Sequence, residues 1–145
     1  MAFQFSLATV LKLRQSIEDR EERALQKVIA EIANVHNQIE ALNIQIANVR
    51  RQCESTLLQL TPAAHLHILL TETQAAEDAK KALYQQLQIL EQQRRQQLMV
   101  YQAAHRDRET LTNMFDEQRS LYEQEKTRTE QKILDDIFMA RHHRG

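Results

Sequence analysis

The chain has almost nothing to turn with. Its 145 residues include one Gly, one Pro, one Cys and no Trp, and only 5% are aromatic. Tight turns need residues that tolerate positive φ or preset a negative one, and strand connections are built largely from them. Their scarcity excludes sheet folds and folds of many short elements. With Gly145 as the only glycine, no Gly-rich phosphate loop of the usual kind can form. Cys53, alone, can make neither an internal disulfide nor a Cys-only metal site. It reads as a small apolar seam residue in a reducing compartment.

A surplus of charge of one sign is also missing. The balance is 19 basic to 20 acidic residues, net charge -1, with both signs interspersed. Neutralising phosphates takes an excess of Lys and Arg, so a nucleic-acid partner is not expected. No apolar run reaches the roughly 18 to 20 residues that span a bilayer. The start lacks the basic-then-apolar layout of a signal peptide, and the sequence reads as cytoplasmic.

What is present is helical periodicity. Val28, Ile32, Val35, Ile39, Leu42, Ile46, Val49 and Cys53 are separated by steps alternating four and three. That is the heptad period of a helix offering one narrow stripe to a partner helix. Upstream the stripe continues less regularly through Ala24, Leu25, Ile17, Leu13, Val10 and Leu7, with a stutter expected over Ala24, Val28 and Ile32. A second stripe reads Leu83, Leu87, Leu90, Arg94, Gln97 or Leu98, Tyr101, Ala104, Arg108, Leu111, Phe115, Gln118 and Tyr122, and recovers at Ile133, Ile137 and Ala140. Between the stripes, Leu60-Thr61-Pro62 is the one clear punctuation, with Thr61 expected as N-cap and Pro62 as the first helical residue.

These features predict an all-α fold of two long helices in an antiparallel coiled-coil hairpin. The expected bounds are one domain over 1–145, with a helix over about 6–59, a bend over about 60–63, a helix over about 64–140 and a frayed basic tail. The second helix has a possible break near Thr71 to Thr73, where Thr71 and Gln74 suggest a capping box. Centring the bend near 61–64 sets Arg106 and Arg108 opposite the acidic run Glu18, Asp19, Glu21 and Glu22. At 1.5 Å per residue the arms would be about 80 Å and about 110 Å long, so either the carboxyl-terminal end extends past the first helix or residues 63–72 form a separate cap. A parallel dimer of one long helix is disfavoured by Pro62, since an interior proline costs about 3 kcal/mol per chain.

Chemistry-bearing patterns are few. His65 and His67 are two apart, which points them to different helix faces, and His142 and His143 sit in the basic tail. His36 and His105 read as polar flanks of the stripes, and Tyr84, Tyr101, Phe115 and Tyr122 as seam packing. No carboxylate pair stands out, and a two-helix seam has no water-excluding pocket. No enzyme activity, cofactor or metal is expected.

The termini are more specific. Phe3-Gln4-Phe5-Ser6-Leu7-Ala8-Thr9-Val10-Leu11-Lys12-Leu13-Arg14 resembles the start of the FliJ family, an aromatic-x-aromatic-x-Leu segment followed by an apolar stretch ending in Leu-Arg. Glu130-Gln131-Lys132-Ile133-Leu134-Asp135-Asp136-Ile137, followed by Arg141, is similar to the family's carboxyl-terminal pattern. The resemblance implies a stalk protein of the flagellar type III export apparatus, similar in shape to the γ stalk of rotary ATPases. Its implied partners are the hexameric export ATPase (FliI-like), the export-gate protein (FlhA-like) and export chaperones. Its implied location is the cytoplasmic face of the inner membrane, reached through partners only.

On that basis Arg14, Arg20, Arg23, Arg128 and Arg141 are expected to meet acidic or carbonyl groups of the ATPase, with Phe3, Phe5 and Phe138 as apolar anchors. A second contact surface with Tyr84 and His65, nearer the bend, is expected to face the export gate. The competing readings are a coiled-coil chaperone for unfolded or secreted proteins, the equivalent stalk of a virulence secretion system, and a structural coiled-coil dimer.

Overall fold

A computed structural model describes residues 2–59 and 62–144. Helix α1 runs Ala8–Leu58 and helix α2 runs Ala63–Arg144, and among the described residues there is no strand. The two helices pack against each other as an all-α helical hairpin. The chain divides into two compact units, one of Glu22–Val100 and one of Met1–Glu21 with Tyr101–Gly145.

In the Glu22–Val100 unit the buried positions of α1 are Leu25, Ile32, Val35, Ile39, Ile46 and Val49, with Val28 and Leu42 half-buried between them and Cys53 half-buried one turn after Val49. The apolar stripe read from the sequence is thus the face that α1 buries. From α2 come Leu69, Ala76 and Leu90. Ile32, Val35, Ile39 and Leu90 form one cluster, flanked by Val28, Leu83 and Leu87. Burying side chains of this size contributes roughly 1.5 to 3 kcal/mol each, so this cluster is a substantial apolar contribution to the pairing. Leu25, not Ala24, is the buried residue before Val28. The step is therefore three rather than four, and the expected stutter is replaced by unbroken heptad spacing.

α2 has no break. Thr71 and Thr73 donate their hydroxyls to the carbonyls of His67 and Leu69 at 2.9 and 3.0 Å. Gln74 donates its amide to Asp78 at 3.0 Å. Mid-helix threonines bond one turn back in this way when no chain end needs capping, so the second capping box does not form. The separate cap considered for 63–72 is likewise the first turns of α2, with Leu69 already buried. Pro62 stands one position before the helix, and His65 donates its backbone N–H to the Pro62 carbonyl at 3.1 Å. The expected N-cap, Thr61, lies outside the described residues.

In the other unit the seam is mixed. Between Leu7 and Glu21 the half-buried positions are Leu7, Leu11, Arg14, Ile17, Glu18 and Glu21, while Leu13 is 58% exposed and Val10 is also exposed. Arg14 and Glu18 occupy the seam in their place. On α2, Ala104 is buried and Tyr101, Arg108, Leu111, Phe115 and Tyr122 are half-buried, but Gln118 is exposed. Beyond Tyr122 every residue of 123–144 is exposed, including Ile133, Ile137 and Ala140, where the apolar stripe recovers. The helix continues to Arg144, four residues past the expected end at 140. Arg141, His142, His143 and Arg144 at its last turn suit the negative end of the helix dipole.

Candidate functional site

The unit of Met1–Glu21 and Tyr101–Gly145 gathers most of the residues expected to touch a partner. Arg23, exposed, falls in the other unit.

The amino-terminal segment before α1 is held by rings. Phe3 packs against Phe115 and Tyr122 with centroids 5.5 and 5.4 Å apart, and Phe5 meets Phe115 edge-on at 5.3 Å. Edge-to-face pairs of this kind are worth about 0.5 to 1.5 kcal/mol beyond the area they bury. Phe5 is only 7% exposed and Phe3 is half-buried. Both therefore fasten the start of the chain to α2 rather than facing outward as anchors. The register already implied by the Glu18–Arg108 pairing sets Phe3 beside Tyr122, a signal that sequence reasoning did not use.

Next to the rings lies an ion-pair network. Arg108 donates Nε to Glu18 Oε2 at 2.6 Å and Nη2 to Oε1 at 3.5 Å, a two-pronged grip on one carboxylate. Arg108 Nη1 donates to Thr112 Oγ1 at 3.2 Å, and Nη2 lies 3.3 Å from His105 Nδ1. His105 in turn stands 3.6 Å from Glu18 and 3.7 Å from Glu109. The Arg108 hydrogen bond holds the Glu18 carboxyl below the ordinary carboxylate value, against the opposing effect of partial burial. The same bond pushes the Arg108 guanidinium up. Arg108 thus meets the acidic run at Glu18, as the charge pattern predicts.

The expected partner-binding arginines differ in what holds them. Arg14 pairs with Asp107 at 3.3 Å, a contact the sequence reading missed because it assigned Arg14 outward. Arg20 pairs with its neighbour Glu21 at 3.2 Å, and Arg128 with Glu125 at 3.9 Å. In each pair at least one partner is largely open to solvent, and such pairs are worth about 1 kcal/mol or less, so the exposed guanidinium groups of Arg20 and Arg128 can leave their neighbours for a better acceptor. Arg141 is exposed on the last turns of α2. Phe138 is 71% exposed, its ring stacked on His142 at 6.4 Å, and is the outward-facing member of the three expected aromatic anchors. Tyr84 and His65 are exposed on α2 in the other unit.

One hollow, lined by Ser120, Glu123, Gln124, Thr127, Arg128 and Gln131, has all its walls on α2 alone. Among the described residues no three His, Cys, Asp or Glu side chains are grouped to hold a metal ion, and no helix is long and apolar enough to cross a membrane. What the arrangement offers is a helical segment, 123–144, whose side chains all remain open to contact.

Residues 3–145 match the family model described as Flagellar FliJ protein. No curated protein and no solved structure matches the chain. Coverage of essentially the whole chain decides the family: the chain belongs to the FliJ family, non-enzymatic proteins of flagellar protein export.

Proposed function

We propose that this chain is a non-catalytic stalk that engages the hexameric flagellar export ATPase, promotes its assembly and hydrolysis, and links it to the export gate and export chaperones. The observation that carries this reading is the stretch 123–144, an α-helix with every side chain exposed, including Ile133, Leu134, Ile137 and Phe138. An apolar stripe kept helical but uncovered is a surface prepared for another molecule. Phe138 supplies the aromatic anchor, and Arg128, Arg141 and Arg20 supply donors for carboxylates or carbonyls. Arg14 would add a further donor from the same unit. In this role the protein works peripherally at the cytoplasmic face of the inner membrane, held there by its partners.

The test is to mix the purified chain with its FliI-type ATPase and follow hydrolysis and hexamer formation. Both should rise, and Phe138→Ser and Arg141→Ala should each weaken the apparent affinity by about fivefold to tenfold, as loss of a central contact does. No change in either quantity on adding the wild-type chain refutes the proposal. Suppression of aggregation of unrelated unfolded proteins, with no response from the ATPase, would point to the chaperone reading instead.

A further inference from the structure

We propose that the exposed face of α2 between Glu130 and Arg141 also pairs with the same face of a second copy of this chain, as an antiparallel two-helix contact. At 3.6 residues per turn, Glu130, Ile133, Leu134, Ile137, Phe138 and Arg141 fall within about 140° of one helix surface. All six are exposed. The opposite surface carries Arg128, Lys132, Asp135 and Asp136 around a single apolar residue, Met139, so the stripe is amphipathic in a helix that has no covering element among the described residues.

The order of residues on this face says what covers it. Glu130 stands one helical turn before Leu134, and Arg141 one turn after Ile137. Turning the helix end over end about the midpoint of Asp135 and Asp136 brings Leu134 level with Ile137 of the second copy, and Ile137 level with its Leu134. The same rotation brings Glu130 level with Arg141 of the second copy and Arg141 level with its Glu130, while Ile133 and Phe138 line the flanks. Every element of the face meets its complement under one twofold axis, the condition for an isologous contact. A parallel pair would instead set Glu130 on Glu130 and Arg141 on Arg141, so the charges select the antiparallel arrangement. An unrelated partner would require no such symmetry.

Three helical turns bury less than the about 1,200 Å² at which stable interfaces begin, so a weak, concentration-dependent contact is expected, dissociating in the micromolar range or above. Phe138 and Arg141 belong to this contact and to the ATPase contact proposed above. If that proposal holds, self-pairing and ATPase engagement exclude one another. Self-pairing is measured without any ATPase, so failure of one proposal is seen separately from failure of the other.

Sedimentation equilibrium of the full chain over about 1 to 300 μM samples that range. It should show a concentration-dependent shift from monomer mass to twice that mass. Glu130→Arg alone and Arg141→Glu alone should each weaken association about tenfold, because the twofold axis makes each repulsion occur twice. The double variant E130R/R141E should restore it to within about threefold, and Ile137→Asp should leave a monomer. Circular dichroism should be unchanged throughout, since every altered side chain is exposed. A monomer at all concentrations assigns the face to a different protein and overturns the proposal. So does a dimer that ignores the single swaps, or one that the double swap fails to restore.

Discussion

Glu18 and Arg108 occupy seam positions where the heptad pattern would ordinarily place apolar side chains. An ion pair in a seam is a poor source of stability but an effective way to fix register, because a slip of one turn leaves both charges without partners. Glu18→Leu alone should therefore destabilise the fold by roughly 1 to 2 kcal/mol, less than a fully buried pair would lose. The double variant E18L/R108L should recover that loss or exceed wild-type stability, as read from urea unfolding midpoints. Acid sensitivity follows from the same pair. Glu18 has a lowered pKa in the folded chain through its Arg108 hydrogen bond, with His105 adding a smaller pull, so its contribution is complete above the ordinary value of 4.5. It is lost as the pH falls from there through the lowered folded value. Glu18→Gln should flatten that part of the stability profile, and an unaltered acid limb would contradict this assignment. The pair was legible in the sequence as opposed charges at matching distance from the bend. Arg14–Asp107 was not, and neither was the exposure of Leu13, because apolar-pattern reading cannot see a polar residue that takes a seam position.

At the scale of elements, α2 divides into stretches of different kinds. Where it lies in the cluster with Ile32, Val35 and Ile39, Leu90 is buried; over 123–144 every side chain is exposed. Ile39→Ala should cost about 2 to 5 kcal/mol by opening a cavity, whereas Ile137→Ala should change stability by no more than about 0.5 kcal/mol. Thermal or denaturant unfolding of the two variants checks the contrast, and equal losses would mean that the carboxyl-terminal stretch is packed after all. Both helices were legible in the sequence because hydrophobic period and punctuation agree: apolar residues recur every three or four positions, and Pro62 precedes α2 by one residue. The uninterrupted passage through Thr71 and Thr73 was less visible, since the same hydroxyls that cap a helix start can bond backward within one. The roles of Phe3 and Phe5 were misjudged for a related reason. Family resemblance marks where aromatic residues recur, but only the packing against Phe115 and Tyr122 says that they face inward.

For the whole molecule, stability and partner engagement are assigned to different residues. The buried apolar cluster, the ring contacts and the Glu18–Arg108 pair hold the helices together, while the exposed stretch 123–144 is the surface that the proposed stalk role assigns to a partner. A chain ended after Tyr122 tests that separation when its unfolding temperature and its effect on the export ATPase are measured side by side. The expected result is an unfolding temperature within about 3 °C of the full chain, because no buried side chain is removed, together with complete loss of ATPase stimulation. A shortened chain that still stimulates the ATPase as well as the full one would place the functional surface elsewhere and contradict the account.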